Sequence, residues 1–251
     1  MRFMNKFVKL IFLISVSILA QNKLDVVVLD AGHGGKDPGT KGVKTGVFEK
    51  DIVLPITLKL GQLIEMNYPH IKVIYTRKTD EFIELKERTR IANSKGGKLF
   101  ISIHANHKKK EESDKSGTEI YILNRDRMTE AVHITMNEDK SQKYSLYGND
   151  TTDMFIFSSL ARNGYIILSS QLSSGIERNI TVNTPLISRG VYQSGFWVLS
   201  GASMPSVLIE AGYLSSESDE SYLTDQKAHT EIAEALFSAF RSYKRYFEIL
   251  Y

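Results

Sequence analysis

The chain has 251 residues, with 32 Lys and Arg against 29 Asp and Glu, 42% hydrophobic residues and no cysteine. That length can bury one large core, and a charged share of 24% is that of an ordinary globular domain rather than a disordered tail. The missing cysteine excludes a disulfide framework and a lipid-attachment thiol. The near balance of charge gives no reason to expect nucleic acid or a strongly anionic polymer as partner.

Residues 1–20 are a different material from the rest. Arg2, Lys6 and Lys9 form a basic start, Leu10–Leu19 runs without a charge, and the small Ala20 precedes the polar Gln21-Asn22-Lys23. This is the pattern of a signal peptide, and the apolar run is short of the ~20 residues a membrane span needs. The alternative is an uncleaved N-terminal anchor. Ile18 at the −3 position is not small, so the pattern does not fix the cleavage point. The segment holds three basic and no acidic residues, so its removal leaves 29 of each sign. The expected product is secreted across the inner membrane, to the periplasm or the exterior, with residues 21–251 as one catalytic domain.

Asp25–Asp30 is a short β-branched apolar run that suits a buried strand, and it ends in the glycine-rich loop Ala31-Gly32-His33-Gly34-Gly35. From Glu49 to about Asn67 the residues Ile52, Val53, Ile56, Leu60, Leu63 and Ile64 recur at helical spacing, with Pro55 expected to distort the first turns. Lys72–Thr76 reads as a strand, Glu84–Ser94 as a helix, and Lys98–Ile103 and Thr118–Leu123 as strands. Arg125–Thr184 looks like an insertion on the site side, with a helical stretch from Asp153 to about Arg178. Val207–Ile209 is a further strand. Ile232, Ala235, Leu236, Ala239, Phe240 and Tyr243 mark a long C-terminal amphipathic helix. Strands alternating with helices predict an α/β fold, a three-layer domain with helices on both faces of one sheet.

Four side chains stand out where strands are expected to end or a helix to begin: His33, Glu49, His104 and Glu210. Two imidazoles and one carboxylate make a three-ligand set for a catalytic zinc ion. A second carboxylate beside them is what a metal hydrolase needs as a general base. Each has an ordinary alternative, Glu49 as favourable charge at a helix N-terminus above all. Glu210, between Val207-Leu208-Ile209 and Ala211-Gly212, must be paired, protonated or bound to something. Among the other histidines, His70 reads as a solvated turn residue and His133 as part of the insertion. His229 falls near the start of an exposed helix. His107, ahead of a lysine run, reads as a rim residue.

Several blocks, in order, resemble the zinc-dependent N-acetylmuramoyl-L-alanine amidases. Asp30-Ala31-Gly32-His33-Gly34-Gly35-Lys36-Asp37-Pro38-Gly39 resembles that family's opening motif. Glu49, then Thr76-Arg77 with Asp80, Leu85, Arg88 and Ala92-Asn93, resembles the next blocks. Ile101–Asn106 resembles the second histidine motif, and Pro205–Ser215 the terminal glutamate motif. The resemblance implies a twisted six-stranded sheet, zinc held by His33, Glu49 and His104, and Glu210 as catalytic base. It implies hydrolysis of the amide between muramic acid and L-alanine in peptidoglycan, for wall remodelling or daughter-cell separation, by a monomer. Backbone amides near Gly34-Gly35 are candidate oxyanion donors. Ala31 stands where many relatives have proline, and Tyr213 and Ser216 depart from commoner residues. Some relatives carry a helix in a place comparable to 125–184 that blocks the zinc until an activator binds. That makes a protein activator an expected partner, and Glu138, Asp139, Asp150 and Asp153 candidates to approach the cation. The competing functions are a zinc peptidase or deacylase on another substrate, and a non-catalytic wall-binding regulator.

Overall fold

The computed structural model describes residues 23–107, 115–124 and 151–250, with the backbone alone for 151–162. The expected signal peptide, His133, Glu138, Asp139, Asp150 and the Asp153 side chain lie outside the described residues.

Twelve elements are described in chain order. They are β1 (Val26–Ala31), α1 (Glu49–Asn67), β2 (Lys72–Tyr75), α2 (Leu85–Ser94), β3 (Leu99–Asn106), β4 (Thr118–Leu123), α3 (Thr151–Asn183), β5 (Ser188–Ser194), α4 (Trp197–Ser200), β6 (Ser206–Tyr213), α5 (Glu217–Leu223) and α6 (Gln226–Leu250). The strands form one six-stranded sheet in the order β2-β1-β3-β6-β4-β5. β2, β1, β3 and β6 run parallel to one another; β4 is antiparallel to β6, and β5 follows β4. The carboxyl ends of β1, β3 and β6 therefore share one end of the sheet with the start of β4.

Alternation along the strands separates two faces. Val27, Leu29, Ile101, Ile103, Ile120, Val207 and Ile209 pack against α1, α3 and α6 in the larger core. Val28, Phe100, Leu123 and Leu208 pack with Ala92, Val198, Leu199 and Met204 of the α2 and α4 region. The second face is covered by shorter helices. By parity Asp30, Ser102, His104, Glu119 and Glu210 belong to it. The larger core explains α6, whose Ile232, Ala235, Leu236, Ala239, Phe240 and Tyr243 are all buried as their spacing predicts. α1 runs through Pro55 without a break.

The stretch expected to be an insertion divides in two. Residues 125–150 lie outside the described residues. α3 is the crossover between the parallel strands β4 and β5, and its Leu168, Leu172, Ile176 and Ile180 are buried in the larger core. Because β4 runs away from the shared end, the chain leaves β4 and enters α3 at the opposite end of the sheet.

Candidate metal centre and cleft

Two strands extend further than their apolar runs suggest. β3 continues through His104 to Asn106 and β6 through Glu210 to Tyr213, so both functional side chains project from within strands rather than from loops after them. Their register is direct, His104 opposite Glu210, and Glu210 also pairs with Glu119 of β4. Glu49 opens α1 as expected and is buried.

His33 leaves β1 in a left-handed conformation (φ 57°), the one such non-glycine among the described residues. Backbone of this kind persists when the surroundings over-determine it. Two buried arginines do so here. Arg88 donates to Asp30 Oδ1 at 2.8 Å, to the Ala31 carbonyl at 2.7 Å and to the His33 carbonyl at 2.8 Å. Arg77 donates to the Ala31 and Gly32 carbonyls at 2.9 and 2.7 Å. Three consecutive carbonyls are thus tied by guanidinium forks. Asp30 also accepts from Thr76 and Ser102 at 2.5 and 2.6 Å. Burial works to raise its pKa, and Arg88 together with these hydroxyls overcomes that and holds it below the usual range.

The result brings His33, Glu49 and His104 together, with one donor atom of each within 4.8 Å of the others. His33 Nε2 lies 3.1 Å from Glu49 Oε2, and His104 Nδ1 lies 2.9 Å from Glu49 Oε1. The imidazoles stand edge to face, centroids 5.0 Å apart. His33 Nδ1 is 2.8 Å from Asp37 Oδ2, which fixes the ring and leaves Nε2 facing the centre. Glu49 is oriented by the amides of Thr40 and Ala105, each 3.0 Å away. Two glycines make the space: a Cβ on Gly32 would lie 2.3 Å from the His104 ring, and one on Gly39 would lie 2.6 Å from Glu49 Oε2.

The electrostatics of the centre call for positive charge. Burial opposes ionisation of Glu49, yet hydrogen bonds from His104 and His33 hold its pKa far below the carboxylate range. Burial also opposes protonation of both histidines, and their bonds to Glu49 still raise their pKa values. Glu210 behaves differently. Burial pushes it up to about 7, Glu49 and Glu119 adding to the rise while His104 opposes it. Two buried atoms on these register partners have no hydrogen-bond partner among the described residues: His104 Nε2 and Glu210 Oε2. They line a cleft of about 350 Å³ together with His33, Glu49, Asn106, His107, Phe196, Trp197 and Leu85.

This geometry coincides with a family whose members are defined by amide hydrolysis. A profile described as N-acetylmuramoyl-L-alanine amidase matches residues 27–242. The chain belongs to this family. It is 32% identical over 224 residues to N-acetylmuramoyl-L-alanine amidase AmiA of Escherichia coli K12, covering 86% of this chain and 76% of that one. It is 29% identical to a probable amidase AmiB of Haemophilus influenzae, where 84% of this chain spans 50% of the relative's length. Among solved structures, amidase AmiC2 of Nostoc punctiforme superposes with a TM-score of 0.68 at 27% identity, over 89% of this chain and 99% of that one.

Within this amidase fold the four expected residues meet in one cleft, and His107 is an exposed residue at its rim. His70 is exposed. His229 departs from expectation: it is buried, with Nε2 2.7 Å from the Leu223 carbonyl, because α6 packs α5 over it. Gly34 and Gly35 are not free to serve as oxyanion donors, since their amides bond the Asp37 carbonyl and Asp80 Oδ1 at 2.8 and 2.7 Å. Beyond the four expected residues, the site includes Asp37, which orients the His33 ring, Glu119 behind Asn106, and the cleft residues Phe196 and Trp197. Glu119 could have been found from TEIYIL, where strict alternation puts a carboxylate on the same face as Tyr121.

Proposed function

We propose that this chain is a secreted, zinc-dependent N-acetylmuramoyl-L-alanine amidase. It hydrolyses the amide between the lactyl group of muramic acid and L-alanine in peptidoglycan, in wall remodelling or daughter-cell separation. The observation that carries the reading is the pair of unpartnered buried atoms, His104 Nε2 and Glu210 Oε2, beside a His-Glu-His donor set in one cleft. Family membership supplies the substrate class.

The donors fit zinc. Two nitrogens and a carboxylate are its usual hydrolytic ligands, and one such atom from each of the three residues lies within 4.8 Å of the others. His33, Glu49 and His104 would hold the ion, with Asp37 fixing His33. When bound, zinc supplies the Lewis acidity that activates water and polarises the scissile carbonyl.

The remaining work falls to the chain. Glu210 Oε2 points into the cleft unpartnered, so it is placed to accept the proton of the attacking water. Once protonated, the same carboxyl can return that proton to the leaving alanine nitrogen. The alanine nitrogen then departs as a neutral amine. Asn106, anchored by donating to Glu119 Oε2 at 2.8 Å, borders the path of the leaving group.

Secretion rests on the pattern of residues 1–20; among the described residues no helix is long and apolar enough to cross a membrane. A protein activator would act on the 125–184 stretch. The test is digestion of intact sacculi with and without chelator, fragments identified by mass. Chelator-sensitive appearance of new L-alanine amino termini supports the amidase. New termini elsewhere in the peptide would make the protein a zinc peptidase, and no fragments would make it a binding protein.

A further inference from the structure

The cleft has a second wall with different chemistry. Leu85 at the start of α2, then Phe196, Trp197 and Val198, line it without a charge. Leu85 and Trp197 are 49% and 54% exposed, although Val198 and Leu199 beside them are buried. The shelf is fixed from below. Val198 and Leu199 pack with Phe100, Met204 and Leu208, and Phe196 meets Tyr121 edge to face with centroids 4.8 Å apart. Ser200 Oγ donates to the Phe196 carbonyl at 3.0 Å, closing the short helix. A side chain presented this way loses little freedom when something covers it.

The flank beyond Glu210 is charged. Lys115 and Arg189 each approach Glu119 Oε1 to 3.5 Å, and neither is fully buried. The neutral aromatic wall meets this paired charged cluster through Tyr121, which packs on Phe196 and donates its hydroxyl to Glu119 Oε2 at 2.6 Å.

The substrate of the proposed reaction has two unlike arms. On the acyl side of the scissile amide, one lactyl unit away, is a pyranose ring. On the amine side is a peptide that carries carboxylates. A pyranose presents a face of C–H bonds, which packs on the electron-rich face of an indole. Carboxylates suit a guanidinium and an ammonium. We propose that Trp197, flanked by Leu85 and Phe196, is the subsite for the muramic acid pyranose. The glycan then lies along the α2–α4 wall. The assignment rests on the amidase reading and adds the place of its glycan.

The chain has a single tryptophan, so indole emission reports Trp197 alone. Zinc-loaded protein is titrated with a peptide-free tetrasaccharide of alternating N-acetylglucosamine and N-acetylmuramic acid, and separately with free stem peptide. The tetrasaccharide should shift the emission saturably, and the peptide should not. With a disaccharide-peptide substrate, Trp197→Ala should raise KM about 3–10-fold with kcat within about twofold, and Trp197→Phe should recover most of the loss. Emission that ignores the tetrasaccharide, or responds to peptide alone, overturns the assignment. So does a Trp197→Ala enzyme with unchanged KM, which would leave Trp197 to contact a partner protein. A protein that binds the tetrasaccharide at Trp197 but frees no L-alanine termini from sacculi would sink the amidase reading and leave the sugar subsite standing.

Discussion

Glu210 sits in the middle of an eight-residue strand whose every member is buried, and its surroundings decide what it can do. Glu210→Gln keeps the shape and loses the ability to accept a proton. Zinc content should stay near one per chain while single-turnover hydrolysis falls ~10²–10⁴-fold; near-normal turnover would move the base elsewhere. Asp37 acts one bond further out. Asp37→Asn should weaken zinc affinity roughly 10–100-fold in a competition titration, because the His33 ring loses its charged partner. Gly32→Ala tests the cradle, since its Cβ would lie 2.3 Å from the His104 ring. Metal analysis should show the ion lost from a chain that still folds. The four principal residues were legible in the sequence because carboxylates and imidazoles interrupt apolar runs. Asp37 and Trp197 were not, because an exposed aspartate and a lone tryptophan look the same whether or not a cleft lies beside them.

The elements of the second face are held by one buried ion pair. Arg88 of α2 bonds Asp30 of β1 and the carbonyls of Ala31 and His33. Arg88→Ala would strand Asp30 as a buried charge, and a loss of about 3–5 kcal/mol in urea unfolding is expected. The pH dependence follows from the sign of the shift. A carboxyl whose pKa is lowered by folding adds stability above its unfolded value of ~3.9, and that stability disappears as pH falls through the folded value. The acid limb of the stability curve should therefore be shallower in Asp30→Asn, which is also less stable at neutral pH; an unchanged acid limb would assign the effect to other carboxylates. At this scale the sequence showed β1, α1, α2 and α6 clearly, because each has a strong apolar period. It ended β3 and β6 too early, because His104 and Glu210 broke the apolar run while the two-residue alternation continued through them. It missed β5, an edge strand whose Ser188–Ser194 carries few buried side chains and so leaves little apolar signal.

Across the whole molecule, zinc would link three elements: the loop after β1, the start of α1 and the end of β3. At a free zinc concentration ~100 times Kd, binding adds about 2.7 kcal/mol. For a chain of this size that corresponds to a Tm lowered by roughly 5–10 °C on chelation, measured by calorimetry at fixed protein concentration. Replacing residues 137–150 with a short Gly/Ser linker should leave that shift in place. A rise in hydrolysis of wall fragments by this variant would give the replaced segment a restraining role, and equal activity would deny it one. The layered fold was readable from alternating elements, but the direction of β4 was not, because antiparallel and parallel strands have the same composition. That direction and the strand order have a further consequence. The central strand β6 is the last to be made, and it inserts between β3 and β4, which precede it by about a hundred residues. Until residues 206–213 emerge, both neighbours keep a bare edge and the cleft lacks its base. Long-range pairing of this kind forms slowly and leaves aggregation-prone edges in the meantime. A chain stopped short of β6 carries the donor residues but lacks Glu210, so the proposed hydrolytic centre is complete only when synthesis is nearly finished.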